Sequence, residues 1–362
     1  MTRKTIFING RFLTQPVTGV QRHSLELLRQ MDALLALAAG SALPRLVCLA
    51  PPHETFTNPG WKNIEIRRVG LNKGNVWEQV DLPIYAGGEL LFSPANIGPF
   101  HYHNQVVTFH DASVFAVPDA YSRSFRTKYI FVFRQLAQRA RRILTVSDFS
   151  RQELAHYLNV SPERFTVTLN GSNHLDYIER DTEILKRNHL EKNSYLFIVA
   201  SQSRHKNLQN VFEALKLIKT DFKVVAAGGS FKRVFQESKN GAYPANVQFL
   251  GYINDQELKA LYENALGFIF PSTYEGFGLP VLEAMRCGCP VLCSKTASMP
   301  EVAGDAALYF DPHQIDDIAR AFDDFLSAPQ LHEQLRTTGR ERAARFEWSN
   351  TARQTLEILL SS

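Results

Sequence analysis

The sequence predicts an α/β protein made of two Rossmann-like, doubly wound domains facing across a cleft. Three observations carry this. Short apolar runs alternate with amphipathic helical patterns along the whole chain, as in β-α units that build parallel sheets. The runs are rich in Val, Ile, Leu and Phe with little alternation, as expected of strands buried on both faces. They also fall into two series, separated by the polar stretch GSNHLDYIERDTEILKRNHLEKN (171–193). A chain of 362 residues suits two domains of about 150 residues or more.

The first series of expected strands is TIFIN (5–9), RLVCLA (45–50), ELLFSP (89–94), QVVTFH (105–110), RILTVS (142–147) and FTVTLN (165–170). The second is YLFIVA (195–200), KVVAAG (223–228), VQFLG (247–251), GFIFP (267–271) and PVLCS (290–294). Between them lie helical patterns such as VQRHSLELLRQMDALLAL, DFSRQELAHYL, NLQNVFEALKLI and DQELKALYENA. Ser147 and Asp148 read as capping residues, and Asp255 as the N-cap of its helix. The domain boundary is placed at 172/173, giving domains 1–172 and 173–362. The last helical segment, NTARQTLEILLS, suits packing on either one.

Composition excludes several classes. With 44% hydrophobic and 21% charged residues, the chain is neither disordered nor fibrous. A net charge of +4, from 40 basic and 36 acidic residues, gives no reason to expect a nucleic-acid partner. Cys48, Cys287, Cys289 and Cys293 are too few for a disulfide scaffold. The run CGCPVLC lacks the second C-x2-C pair of a zinc site and reads as buried thiols entering a strand. The start, MTRKTIFINGRFL, has too short an apolar run for a signal peptide, and no stretch of eighteen apolar residues exists. The expected location is the cytoplasm, or the inner face of the cytoplasmic membrane as a peripheral protein. Segment 121–142 holds seven basic residues and no acidic one, interleaved with Tyr121, Phe125, Tyr129, Phe131 and Phe133. It reads equally as a helix with solvated arginines beside the core, or as a surface for an anionic membrane or a phosphate-linked acceptor.

In doubly wound sheets, ligands bind beyond the carboxyl ends of the strands, so chemistry is sought in the loops that follow them. After GFIFP comes STYEGFGLPVLEAM (272–285). Gly276 and Gly278 permit close backbone approach to a ligand, and Pro280 suits a first helical turn. The exposed N–H groups there form a site for phosphate or hydroxyl groups, and Glu275 and Glu283 can accept hydrogen bonds from sugar hydroxyls. A turn residue and a solvated helix face are the plainer readings of these two carboxylates. After YLFIVA, Lys206 opens a helix, where an ammonium and helix amides together can neutralise a diphosphate. Gly228 and Gly229 follow a strand, where a tight turn explains them as well as a ligand does.

The run EGFGLPVLEAM (275–285), followed by GCPVL and MPEVAGDAALYFDP, resembles the C-terminal signature of the GT4 family over about forty residues. That family comprises retaining, nucleotide-sugar-dependent glycosyltransferases of GT-B fold. The resemblance implies that Glu275 contacts the donor sugar and Glu283 the ribose hydroxyls, with backbone amides around Phe277, Gly278 and Leu279 meeting sugar and diphosphate. Lys206 and Asn207 match the family's diphosphate-binding run. Ala200–Ser201 stands where the family often has Gly-Arg, and Arg204 is the candidate second cation. VQFLGYINDQEL resembles the nucleobase segment, with Tyr252 and Ile253 against the base ring. Gly19 matches the glycine that lets helix amides approach the leaving phosphate, and Arg22 one turn later is placed on the acceptor side. His110 and Asp111 match a His-Asp pair near donor sugar and acceptor. NVWEQVDLP (75–83) recurs in one branch of the family and has no assigned chemistry.

The catalytic candidates are therefore His110, Lys206 and Glu275. No D-x-D, G-x-G-x-x-G, P-loop or H-E-x-x-H occurs, so neither a metal-held diphosphate nor a dinucleotide cofactor is expected. The expected partners are a nucleotide-sugar donor, GDP-mannose ahead of dTDP-rhamnose and UDP-sugars, and a lipid-linked or growing bacterial glycan such as an O-antigen. A non-catalytic nucleotide-sugar-binding subunit is the rival reading, and the intact candidate site argues against it.

Overall fold

The computed structural model describes residues 4–37, 43–199, 203–218, 222–229 and 244–362. Strands β1 (Thr5–Asn9), β2 (Arg45–Ala50), β3 (Ile64–Arg68), β4 (Leu90–Ser93), β5 (Gln105–Phe109), β6 (Arg142–Thr145) and β7 (Phe165–Val167) form one sheet in the order β3-β2-β1-β4-β5-β6-β7. Strands β8 (Tyr195–Val199), β9 (Lys223–Ala227), β10 (Val247–Gly251), β11 (Gly267–Phe270), β12 (Val291–Ser294) and β13 (Ala307–Phe310) form a second, ordered β10-β9-β8-β11-β12-β13. Every pairing among the described residues is parallel.

All eleven expected strands form; Ala200, the last residue of the expected strand 195–200, lies outside the described residues. β3 and β13 were not expected, and both are sheet edges. Both are only partly buried; IEIRR carries charged residues, as an edge strand can, whereas ALYF is apolar throughout but only four residues long.

The chain divides into two compact units, Met1–Gly171 with Glu347–Ser362, and Ser172–Phe346. The closing helix Trp348–Leu360 thus belongs to the first unit, although the sequence boundary had grouped it with 173–362. Its buried stripe, Ala352, Leu356 and Leu359, packs in one cluster with Leu27, Leu28 and Met31 of helix Gly19–Leu37. Each such fully buried leucine contributes about 1.5–3 kcal/mol relative to exposure, so the helix is held where its apolar face is covered. In the first sheet, side chains alternate between two cores. Leu46 and Cys48 join the cluster with that helix, and Val47 and Leu49 join another with Trp77 and Leu82.

The four cysteines are free thiols; Cys48, Cys289 and Cys293 are buried, which raises their pKa. Among the described residues no helix is long and apolar enough to cross a membrane. The basic segment folds as helix Arg123–Arg139, capped by Ser122, with Val132, Phe133, Leu136 and Ala137 buried. Tyr121, Phe125 and Tyr129 stack in succession at 5.4 and 4.0 Å. Arg123, Arg134 and Phe131 are exposed, so one face belongs to the core and another is basic and aromatic.

Candidate active site

In the second sheet the strand order reverses between β8 and β11, so the loops leaving these strands diverge at their carboxyl ends, where doubly wound sheets bind ligands. Both strongest candidates lie there. After β8, Arg204–Lys206 forms a 3-10 turn, and Asn207 adopts a left-handed conformation before helix Leu208–Leu217. The Asn207 amide donates to the Pro312 carbonyl at 2.7 Å, so this side chain ties the loop to the end of β13. After β11, the Thr273 amide donates to the His205 carbonyl at 2.7 Å, and the Ser298 hydroxyl donates to the Glu275 carbonyl at 3.0 Å. These bonds hold the loops together independently of any ligand.

The Lys206 ammonium donates to Glu275 Oε1 at 2.5 Å and lies 5.5 Å from the centre of the Phe270 ring. The sequence reading gave these two residues separate tasks, and the structure places them in contact. Both side chains are mostly shielded, so the pair is screened less than a surface ion pair. Arg204 is exposed on the same turn. The arginine position of the family pattern, Ala200–Ser201, lies outside the described residues.

Gly278 caps helix Leu279–Arg286 at φ +93°, where a Cβ would come within 2.2 Å of Met299 Cε. Phe277, Gly278 and Leu279 are buried, and Gly276 adjoins them. The helix N-terminus thus presents backbone amides beside Glu275. Glu283, one turn further, is buried rather than solvated. It accepts hydrogen bonds from His174 Nε2 at 3.0 Å and the Tyr262 hydroxyl at 3.5 Å. His174 had been overlooked because it sits in the polar stretch read as a linker. Asn173, His174 and Leu175 are buried there, Lys259 donates to the Leu175 and Ile178 carbonyls at 2.8 Å each, and Arg286 pairs with Asp176. No local pattern marked His174, since polar flanks hid one buried turn.

In the segment expected to meet the base, Tyr252 is 82% exposed and Ile253 half-buried. The N-cap of helix Asp255–Asn264 is Asn254, not Asp255: Asn254 Oδ1 accepts from the Glu257 amide and Glu257 accepts from the Asn254 amide, both at 2.9 Å. This is a capping box, legible in Asn254-x-x-Glu257. Gly228 donates to the Gly251 carbonyl at 2.8 Å with φ +140°, which gives it a turn role.

In the first unit, Gly19 opens helix Gly19–Leu37, and a Cβ there would meet nothing within 4 Å. Arg22 pairs with Glu26 of its own helix at 3.5 Å, and Asp111 accepts from the Ser113 amide at 2.8 Å. His110 donates through Nε2 to the Pro94 carbonyl at 2.9 Å, leaving Nδ1 as the acceptor nitrogen of the neutral ring. Its ring meets that of His23 edge-on at 4.6 Å, and His23 Nδ1 lies 2.7 Å from Asn170 Oδ1. Burial lowers the pKa of both histidines, that of His23 to about 3, so both are neutral at physiological pH.

Comparison with known proteins supplies the family. A model described as Glycosyl transferases group 1 matches residues 179–342, and one described as Glycosyltransferase Family 4 matches residues 84–174. The chain is 29% identical over 373 residues to the O-antigen chain mannosyltransferase B of Escherichia coli, covering 94% of this chain and 95% of that protein. It is 30% identical over 245 residues to the E. coli serotype-specific mannosyltransferase WbdA, a match of 63% of this chain that spans 30% of that longer protein. The solved sucrose-phosphate synthase of Thermosynechococcus elongatus aligns with a TM-score of 0.76 at 18% identity over 99% of both chains. The resemblance first legible in the EGFGLPVLEAM run thus extends along the chain, which belongs to the group 1 and family 4 glycosyltransferases, enzymes of GT-B fold.

Proposed function

We propose that this glycosyltransferase is a retaining mannosyltransferase that uses GDP-mannose to extend a lipid-linked or growing bacterial surface glycan such as an O-antigen. The observation that carries it is the Lys206–Glu275 contact at the reversal point of the second sheet, together with Glu283 held by His174 on the helix that follows. A donor diphosphate competes with Glu275 for the Lys206 ammonium. Glu275, once released, accepts hydrogen bonds from the donor sugar, while Glu283 accepts from the ribose. Lys206, Arg204 and the amides at Gly276–Leu279 meet the charge that develops on the leaving diphosphate, a task these groups perform without a metal ion. Configuration is retained because the acceptor attacks the face the diphosphate leaves, and the departing phosphate assists removal of the acceptor proton. The preference for mannose and an O-antigen rests on the likeness to the E. coli O-antigen mannosyltransferase over 94% of the chain. The exposed Arg123, Arg134 and Phe131 suit peripheral contact with the anionic inner leaflet, on the cytoplasmic side.

The test starts from thermal shift against GDP, UDP, dTDP, ADP and NAD. A ligand at about a hundredfold over its Kd adds roughly 2.7 kcal/mol to stability. The expected result is a selective response to GDP, followed by transfer from GDP-mannose to give an α-linked product by NMR. A selective response to UDP or dTDP reassigns the donor. Binding without turnover on any acceptor supports the non-catalytic reading.

A further inference from the structure

We propose that the cavity at the carboxyl ends of β1 and β4 is a subsite for one neutral sugar residue of the acceptor, with Glu78 and Arg11 binding its hydroxyls. The proposal rests on the chain being a glycosyltransferase with a glycan acceptor. The cavity measures about 310 Å³, the lower end of small-molecule sites, and its walls include Asn9, Arg11, Gln21, Glu78, Asn96 and Tyr129. Its position is the first argument. The first sheet reverses its strand order between β1 and β4, and Asn9 ends β1 while Asn96 follows β4. A crevice at a reversal point is where doubly wound sheets bind ligands.

The second argument comes from NVWEQVDLP, the segment without assigned chemistry. Three of its side chains are engaged in building the fold. Trp77 is buried and its indole donates to the Val69 carbonyl at 2.7 Å. Gln79 donates to the Gly98 carbonyl at 3.0 Å and accepts from the Phe100 amide at 3.1 Å. Asp81 accepts from the Leu71 and Asn72 amides at 2.9 and 2.7 Å. Glu78 alone lines the cavity, where it accepts from Asn9 Nδ2 at 2.9 Å and Arg11 Nη1 at 2.8 Å. Trp77–Asp81 winds as a π-helix, a rare geometry that occurs frequently at functional sites.

The third argument is chemical. A buried ion pair adds little net stability, because desolvating both charges offsets their attraction, so folding alone gives little reason to place one here. A carboxylate has about four acceptor positions, and two are engaged by Asn9 and Arg11. Adjacent acceptor and donor groups suit neighbouring hydroxyls of a pyranose, and the rings of Phe12 and Tyr129 offer apolar surface to its C–H face. A phosphate in the same place would lie against the Glu78 carboxylate, which favours a neutral sugar over a lipid phosphate. Asn96 also joins this wall to the candidate catalytic residue His110, whose amide donates to Asn96 Oδ1 at 2.9 Å.

The experiment is saturation-transfer NMR on the full chain, saturated with whichever nucleoside diphosphate stabilises it most. The probes are the methyl glycosides of mannose, rhamnose, glucose and N-acetylglucosamine, with inorganic phosphate as the anionic competitor. Wild type is compared with Glu78→Gln, which removes the charge, and Ala95→Leu, which keeps the ion pair and fills the cavity. At least one glycoside is expected to bind, with affinity lowered about tenfold by Glu78→Gln, as for loss of a charged hydrogen bond. Ala95→Leu is expected to abolish binding, with nucleotide affinity unchanged in both variants. If Glu78→Gln does not fold, Ala95→Leu decides alone. No glycoside binding to the nucleotide-loaded wild type, equal binding by Ala95→Leu, or displacement of the glycoside by phosphate overturns the proposal. Failure to bind any nucleoside diphosphate in the thermal-shift series instead removes the donor reading, so the two failures are separable.

Discussion

His174 Nε2 donates a 3.0 Å hydrogen bond to Glu283, and both residues are almost wholly buried. The bond orients the carboxylate that the family pattern assigns to the donor ribose. A buried carboxylate without a partner loses far more than it gains, so the histidine and Tyr262 allow Glu283 to be held inside the unit. His174→Ala is therefore expected to weaken nucleoside-diphosphate binding by about 1–2 kcal/mol, roughly 5- to 30-fold by calorimetry. His174→Gln, which retains a donor, is expected to recover part of the loss. Equal affinity in both variants and wild type would remove the positioning role.

Lys206 is the cation nearest the developing charge in the proposed reaction. Lys206→Ala is expected to lower kcat on the order of 10²- to 10³-fold, as for loss of one oxyanion contact, and to shrink the nucleotide-induced thermal shift. Glu275→Gln leaves the ammonium in place and is expected to lower kcat while nucleotide binding persists. Near-normal turnover in Lys206→Ala would sink the assignment.

Two glycines make a contrasting pair. At Gly278 the backbone is at φ +93° and an added Cβ would strike Met299, so Gly278→Ala is expected to cost about 1–3 kcal/mol of stability by denaturant titration. At Gly19 a Cβ meets only open space, so Gly19→Ala is expected to unfold like wild type. Its effect should appear in activity, because in the proposed reaction the added methyl group would stand where helix amides approach a phosphate. A Gly19→Ala enzyme with both normal stability and normal rate would exclude that role.

Acid should destabilise the first unit. His23 has its pKa pushed down to about 3 by burial, against an ordinary 6.5, and that of His110 is also lowered. The folded state keeps these rings neutral while the unfolded chain protonates them. The contribution of His23 to stability is complete above about pH 6.5 and is lost as the pH falls toward 3, and that of His110 is lost in the same direction. Between pH 7.5 and 5 the loss attributable to His23 is expected to be about 2 kcal/mol. His23→Leu should flatten the slope of stability against pH over that interval, whatever it does to the absolute value. An unchanged slope would contradict burial of the neutral ring.

Removing the capping oxygen in Asn254→Ala is expected to cost about 1 kcal/mol, whereas Asp255→Ala should cost less. Thermal melts of the two variants decide which residue caps the helix.

The sequence by itself determined the two parallel sheets, the eleven apolar strands and the loops that carry Lys206, Glu275 and Gly278. These features are local: burial on both faces demands a continuous apolar run, and a loop that must approach a ligand needs glycine at a set place. Tertiary structure alone decided the rest. The edge strand β3 lacks a fully apolar signature because one side has no neighbouring strand, and β13 is an apolar run of only four residues. The closing helix could cover an apolar face on either unit, and only packing against helix Gly19–Leu37 assigns it. Lys206 and Glu275 were each legible, yet their contact spans 69 positions. His174 and Glu283 are 109 positions apart, and Glu78 meets Arg11 across 67. Hydrogen bonds between such distant side chains depend on the path of the backbone through space, which no short window of residue types encodes.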